Sequence, residues 1–225
     1  MANTNIVRTR EFFHEYASGF NSIYSNRNTL ANRFINHMFR KSMEVRYRRT
    51  LEGCRPVQGK RVLDIGCGPG HYGIALARAG AVEVVGLDFA EGMIKLARQQ
   101  AEAAGVAAKC TFMTKDFYTY EPQTPFDYVV VMGVMDYVPD PKPLIQRVLS
   151  MTRDRAFLSF PVAGGLLAWQ RKLRYRTRCP LFLYTRTEVE ALFENIEGFQ
   201  TVIEQIARDF FVQVRRKHQT ETKSA

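Results

Sequence analysis

The stretch V-L-D-I-G-C-G-P-G-H-Y-G, Val62 to Gly73, decides the fold. A short apolar run leads into Asp64, and Gly66, Gly68 and Gly70 then alternate with other residues. Glycine turns the backbone sharply through positive φ and lets a ligand approach the main chain. A glycine-rich turn directly after a β-type run, with a helical pattern behind it, predicts a ligand loop at the carboxyl end of a strand.

Outward from that loop, strands and helices alternate. K-R-V-L-D-I-G is a first strand, and Gly70 to Ala79 is helical. A-V-E-V-V-G-L-D-F is a second strand, followed by a helix closed by Gly105. K-C-T-F-M-T-K-D-F is a third strand and F-D-Y-V-V-V-M-G-V-M a fourth. D-P-K-P-L-I-Q-R-V-L-S-M-T is helical, and D-R-A-F-L-S-F-P is a fifth strand. This alternation implies a parallel sheet with helices on both faces. The uninterrupted Val129-Val130-Val131 fits a strand buried on both sides.

The flanks differ. Residues 8–50 read as helical, with Leu30, Phe34, Ile35, Met38 and Phe39 at helical spacing, ending near Gly53 ahead of Pro56. After Pro161, G-L-L-A-W-Q-R-K-L-R-Y-R-T-R-C reads as a basic helix. T-E-V-E-A-L-F-E-N-I is a helix capped by Thr185 or Thr187. F-Q-T-V-I-E-Q-I-A and D-F-F-V-Q-V-R-R-K are β-type runs a hairpin apart, and H-Q-T-E-T-K-S-A is a disordered tail. The domain layout expected is a helical extension or lid over 1–58, a ligand-binding domain over 59–217, and a tail over 218–225.

With 225 residues and 46% hydrophobic content, a globular fold with a full core is expected. No uncharged run approaches a membrane span, and M-A-N-T-N-I-V-R-T-R lacks the apolar core of a signal peptide. Cys54, Cys67, Cys110 and Cys179 form no C-x-x-C pair. Neither a metal site nor a disulfide framework is expected, and a reducing cytoplasm is the expected location. The net charge of +10 sits on the flanks: residues 1–60 hold 11 Lys and Arg against 4 Asp and Glu, whereas residues 61–170 hold 10 against 11. Any anionic partner therefore meets the flanks first.

Two ligands compete for the glycine loop. A dinucleotide loop has the spacing G-x-G-x-x-G and lays a pyrophosphate on a helix N-terminus. Here the spacing is G-x-G-x-G, with Asp64 two residues ahead. A carboxylate there repels a pyrophosphate and suits a cationic amine or sulfonium.

At this point the chain resembles the class I S-adenosylmethionine-dependent methyltransferases. V-L-D-I-G-C-G-P-G matches the family's first motif, V-V-G-L-D-F-A-E-G-M the second, K-D-F the acid after the third strand, and F-D-Y-V-V-V-M-G-V-M-D-Y-V-P-D-P the fourth-strand motif. The resemblance covers about residues 60–160, and the strand pair at 199–216 suits the family's last two strands. Within the family the chain is similar to small bacterial enzymes acting on small or medium molecules, with a weaker likeness to magnesium-protoporphyrin methyltransferases. It implies an α/β fold: a Rossmann-like, doubly wound, seven-stranded, mostly parallel sheet with an antiparallel last strand.

The resemblance also implies roles. Gly66, Gly68 and Gly70, with Cys67 among them as a small buried filler, would wrap the methionine part of S-adenosylmethionine. Asp64 would order the loop and favour the ammonium. Asp88 would accept both ribose hydroxyls, or only cap the next helix. Phe89 and Met93 would pack on the adenine, or belong to the core. Asp116 would accept the adenine amino group beside the Phe117 amide, or be a surface acid. Met132, Gly133 and Val134 would close the pocket. Tyr16 and Tyr24, from an extension folded over the cofactor, are the exceptions among N-terminal aromatics otherwise read as packing residues, and His14 and His37 read as satisfied surface or core histidines rather than bases. His71 and Tyr72 line the methionine end or simply begin a helix. S-adenosylhomocysteine would be the product.

The family places acceptor contacts after the fourth strand, here Asp136 and Tyr137. Many members carry His where Tyr137 stands and Glu or His where Asp136 stands, so no standard base carries over. Asp136 orients or deprotonates the acceptor, or caps the following turn; Tyr137 lies on the acceptor or in the core. R-Y-R-R (Arg46 to Arg49) and R-K-L-R-Y-R-T-R (Arg171 to Arg178) could grip an anionic small molecule, a phosphate backbone or a membrane surface, or be solvated helix faces. Nucleic acid is disfavoured: no N-P-P-Y follows the fourth strand and no P-C nucleophile pair is present. The expected activity is in-line methyl transfer to an oxygen or nitrogen of a small or medium-sized acceptor, anionic ones included. RNA- or protein-directed transfer and a catalytically silent cofactor-binding protein are the alternatives.

Overall fold

The computed structural model describes residues 43–164, 181–206 and 208–217. Tyr16, Tyr24, the basic stretch 171–178 and the tail lie outside them. The strands are β1 (Arg61–Ile65), β2 (Glu83–Asp88), β3 (Cys110–Thr114), β4 (Phe126–Val131), β5 (Thr152–Pro161), β6 (Phe199–Ile206) and β7 (Asp209–Arg216). The helices are α1 over residues 43–53, α2 (His71–Arg78), α3 (Glu91–Ala103), α4 (Pro141–Ser150) and α5 (Arg186–Phe193).

The strands form one sheet in the order β3-β2-β1-β4-β5-β7-β6. β1 pairs parallel with both β2 and β4. β7 runs antiparallel to β5 on one side and to β6 on the other. The expected mostly parallel sheet with an antiparallel last strand is the one observed. The chain winds one way from β1 to β3 and the other way from β4 to β5, so the switch point lies between β1 and β4. A crevice opens there, beyond the carboxyl ends of the strands.

Alternation along each strand builds two cores, because successive side chains point to opposite faces. Leu63, Val129, Val131 and Leu158 face the side covered by α4 and α5, where Leu144, Ile145, Val148, Val189 and Phe193 pack. Val62, Val84, Tyr128, Val130 and Phe157 face the side of α1, α2 and α3, with Cys54, Leu76, Ala97 and Ala101. β4 is buried along its whole length, which is why its sequence shows no polar alternation.

Two strands stop earlier than their apolar pattern suggests. β3 ends at Thr114, because Asp116 caps a 3-10 turn, Phe117–Thr119, by accepting from the Tyr118 N–H. β4 ends at Val131, because Gly133 takes φ 75°. Both departures fall on the ligand-facing ends. Thr185 is the cap of α5, with a reciprocal capping box to Glu188.

α1 is held to the sheet near both ends. Arg46 Nη1 lies 3.3 Å from Ser159 Oγ at the end of β5 and 3.4 Å from Asp209 Oδ2 at the start of β7. At the other end, Arg155 Nη1 donates to the Gly53 carbonyl at 2.6 Å. A cation on the last carbonyls of a helix also complements its dipole.

Candidate functional site

The glycine loop is a left-handed turn at each glycine: φ is 66° at Gly66, 51° at Gly68 and 83° at Gly70. The three serve differently. A Cβ on Gly66 would lie 2.4 Å from Val134 Cγ2, so this glycine lets β1's loop meet the end of β4. A Cβ on Gly68 would meet nothing within 4 Å, so the main chain there faces open space. Gly70 is the N-cap of α2 and packs against Phe112, Ile74 and Ala97.

Asp64 is buried, and its Oδ2 accepts from the Gly73 N–H at 3.2 Å. It thus ties the end of β1 to the first turn of α2 behind the loop. Burial raises its pKa to about 7, the Gly73 hydrogen bond opposes that rise, and the Asp88 charge adds to it.

Asp88 closes β2 and spans the crevice. Oδ2 accepts from Gly68 N–H at 2.9 Å, and Oδ1 from Ala90 N–H at 2.8 Å. One carboxylate therefore fixes both the glycine loop and the start of α3. With a further backbone hydrogen bond from Phe89, the two oxygens together still keep acceptor capacity for a ligand hydroxyl. Burial raises its pKa against the hydrogen bonds from Ala90, Gly68 and Phe89.

The two apolar candidates separate. Phe89 is 36% exposed beside the crevice, whereas Met93 is buried at 3%. Asp116 is exposed; its Oδ1 accepts from the Tyr118 N–H at 2.9 Å. Phe117 is buried in the core beneath it. Cys67 is buried in the α2 and α3 core, as a small filler would be, and burial raises its thiol pKa.

Opposite the loop, the end of β4 meets a buried polar cluster that no motif announces. Ser159 Oγ accepts from the Gly133 N–H at 2.9 Å and from Arg46 Nη1. A Cβ on Gly133 would stand 3.7 Å from Arg46 Nη2. Tyr72, from the first turn of α2, hydrogen-bonds Arg46 and packs on Tyr47 with ring centroids 5.3 Å apart. Burial works against the Arg46 charge, but Asp209, Tyr72 and Asp136 outweigh it and hold the pKa above the ordinary arginine value. Arg46 Nε is buried without a hydrogen-bond partner among the described residues. The helical phase splits R-Y-R-R: Arg46 turns inward while Arg48 and Arg49 stay exposed. The basic run R-Y-R-R, which Arg46 opens, was the one signal available for it in the sequence. Ser159 and Asp209 gave none.

Asp136 and Tyr137 stand in a 3-10 turn, Met135–Tyr137, just past β4. Asp136 is buried at 5% and lies in the field of Arg46. The cap of α4 is Asp140, whose Oδ1 accepts from the Lys142 N–H. The returning segment braces this turn: Phe182 N–H donates to the Asp136 carbonyl, and Tyr184 Oη donates to the carbonyls of Met135 and Val138. Met132 is buried and Val134 half-buried at the same strand end.

Polar and aromatic groups gather on both sides of the switch point. One side offers exposed main chain at Gly68, a carboxylate at Asp88 and an aromatic face at Phe89. The other offers a half-buried cation at Arg46. Among the described residues no group of three or more His, Cys, Asp or Glu is gathered as if for a metal ion. No helix among them is long and apolar enough to cross a membrane.

Residues 56–161 match the model of a methyltransferase domain family, described as "Methyltransferase domain". The chain is 36% identical over 102 residues to a ubiquinone biosynthesis O-methyltransferase of Shewanella sp. (strain ANA-3), covering 45% of this chain and 43% of that protein. It is 34% identical over 113 residues to the protein of the same name from Neisseria meningitidis serogroup C, covering 49% and 47%. The chain thus spans less than half the length of the curated relatives it matches. Among solved structures, magnesium protoporphyrin IX methyltransferase from Synechocystis PCC 6803 with bound SAH superposes with a TM-score of 0.71 at 22% identity, covering 93% of this chain and 98% of that one. That likeness is one of fold. The resemblance carried by the four sequence blocks and the Rossmann-like fold it implies are both borne out.

Proposed function

We propose that this chain is an S-adenosylmethionine-dependent methyltransferase acting in the cytoplasm on an oxygen or nitrogen of a small or medium-sized acceptor. Residues 59–217 would be the cofactor-binding domain, and residues 1–58 a helical extension over it. The observation that carries this is Asp88: its carboxylate closes β2, holds the Gly68 N–H and stands beside main chain with open space in front of it. A dinucleotide loop would leave that space for phosphate. Here the Asp88 carboxylate borders it, which is unfavourable to an anion and suited to ribose hydroxyls and a cationic ligand.

Bound there, S-adenosylmethionine supplies a methyl on a positively charged sulfur, already an electrophile. The protein's part is to hold, orient and exclude water. Asp88 accepts the ribose hydroxyls with the lone pairs its backbone partners leave. Phe89 offers its exposed face to the adenine, with Met93 behind it. Asp116 accepts the adenine amino group beside the Phe117 N–H. Gly66, Gly68 and Gly70 follow the methionine part, and Arg46 presents its unpartnered Nε–H to an anionic group such as a carboxylate. Met132, Gly133 and Val134 close the crevice against water. Asp136 and Tyr137 orient the acceptor.

The names of the two relatives favour oxygen as the methylated atom. Calorimetric titration with S-adenosylhomocysteine and S-adenosylmethionine tests the cofactor. Methyl-label transfer to a panel of hydroxylated and aminated small molecules tests the reaction. Absence of binding to both cofactors would overturn the proposal.

A further inference from the structure

Arg147 lies on α4, outside the loop and strand-end motifs, yet its guanidinium holds the turn that carries Asp116. Nε donates to the Phe117 carbonyl at 3.3 Å, and Nη2 to the Tyr120 carbonyl at 2.6 Å. The first of these carbonyls opens the turn that Asp116 caps, and the second belongs to Tyr120, which closes it. Nη2 also donates to Glu121 Oε1 at 2.8 Å, and the guanidinium carbon stands 5.7 Å from the Phe117 ring centroid. One planar fork thus clamps the whole turn, a task a point-charge ammonium performs poorly.

We infer that Arg147 is a positioning residue for recognition of the purine 6-position, acting through the turn Phe117–Thr119. This rests on the methyltransferase proposal and on the adenine contact assigned there to Asp116. Within the turn, Tyr118 N–H takes Asp116 Oδ1 and Thr119 N–H takes the Asp116 carbonyl. Asp116 Oδ2 accepts no hydrogen bond among the described residues. Its direction follows from the turn, and the turn is fixed from outside by Arg147. Phe117 anchors the near side in the core, so only the carbonyl side needs a clamp. An exposed carboxylate on a loose turn would still attract an amino group, but would discriminate poorly against an oxygen in its place. A fixed one rejects it, because two acceptors would face each other.

The test compares affinities for S-adenosylhomocysteine and S-inosylhomocysteine, which set an amino donor against an oxo acceptor at the 6-position and, beside it, a bare N1 against an N1–H. The wild type is expected to prefer the amino ligand by about tenfold to a hundredfold, the range of one hydrogen bond to a charged group. Asp116→Ala is expected to remove most of that preference. Arg147→Met is expected to shrink it severalfold, mainly by weakening the amino ligand. Arg147→Lys keeps the charge and stem, serves as the second variant should Arg147→Met fold poorly, and is expected to fall between. Equal loss for both ligands in the Arg147 variants, or no loss, would overturn the inference. A wild type that binds both ligands equally would overturn it through Asp116 while leaving the methyltransferase proposal standing. A wild type that binds neither would overturn both.

Discussion

Ser159 Oγ accepts a hydrogen bond from the Gly133 N–H at 2.9 Å and stands 3.3 Å from Arg46 Nη1. A single buried hydroxyl therefore couples α1 to the left-handed residue that ends β4. Ser159→Ala leaves the half-buried Gly133 amide without its acceptor and the half-buried Arg46 guanidinium with Asp209 alone on Nη1. The expected cost is about 1–3 kcal/mol. At about 2–4 °C per kcal/mol for a chain of this size, a thermal melt resolves it. A melting temperature within a degree of wild type would show that water replaces the hydroxyl there.

Asp88→Ala is expected to abolish binding of S-adenosylhomocysteine while leaving a cooperative melt. Of the three N–H groups it releases, those of Gly68 and Phe89 lie on half-exposed or exposed residues and can turn to water, while that of Ala90 is buried and accounts for a modest loss of stability. Calorimetry and circular dichroism on the same sample check both halves. Near-normal affinity would remove Asp88 from the ribose.

Gly66→Ala and Gly68→Ala should behave oppositely. Both carry the left-handed penalty of about 1 kcal/mol. Only at Gly66 does the methyl strike a neighbour, Val134 Cγ2 at 2.4 Å. Gly66→Ala should therefore lower the unfolding midpoint more. Gly68→Ala should melt closer to wild type yet lose more ligand affinity, because its methyl fills the open space itself. Urea titrations with and without S-adenosylhomocysteine separate the two, and the reverse order would contradict this division of labour.

Asp64 gives the ligand-free protein a pH signature. Its folded pKa of about 7 lies above the ordinary aspartate value of about 4. Between those values the folded state keeps a proton that the unfolded state has released. This group's contribution to stability is then complete below about pH 4 and is lost as pH rises through about 7, with a slope of up to about 1.4 kcal/mol per pH unit. Asp64→Asn keeps an acceptor for the Gly73 N–H and removes the titration. Its melting temperature relative to wild type should climb from pH 5 to pH 8. A constant difference across that range would place the Asp64 pKa near its ordinary value.

Much of the fold was legible because its evidence is local. Val129 to Val131 declare a doubly buried strand, and Asp64 to Gly70 declare a turn that only glycine tolerates. Asp88 could be placed because it ends a strand at a fixed distance from the loop. Arg46 could not: its partners Ser159 and Asp209 lie 113 and 163 residues away, and no pattern in one dimension joins them. The ends of β3 and β4 were overrun for a related reason. Apolar periodicity continues through Phe117 and Met132, while a cap at Asp116 and a left-handed Gly133 decide where pairing stops. Arg147 reads in sequence as an ordinary helix cation, and only the turn brought beneath it shows otherwise.

The two attachments of α1 make it a ruler. Arg46 reaches the end of β5 and Gly53 reaches Arg155 nearer its start, so helix and strand run antiparallel. Seven helical steps cover about 10 Å and four strand steps about 13 Å, so the two spans match once the reach of the arginines is included. Each added helical residue would turn Arg46 by about 100°. The register of this segment is therefore quantised: a one-residue insertion between Arg46 and Gly53 would swing the guanidinium out of the crevice, though every side chain needed there would still be encoded.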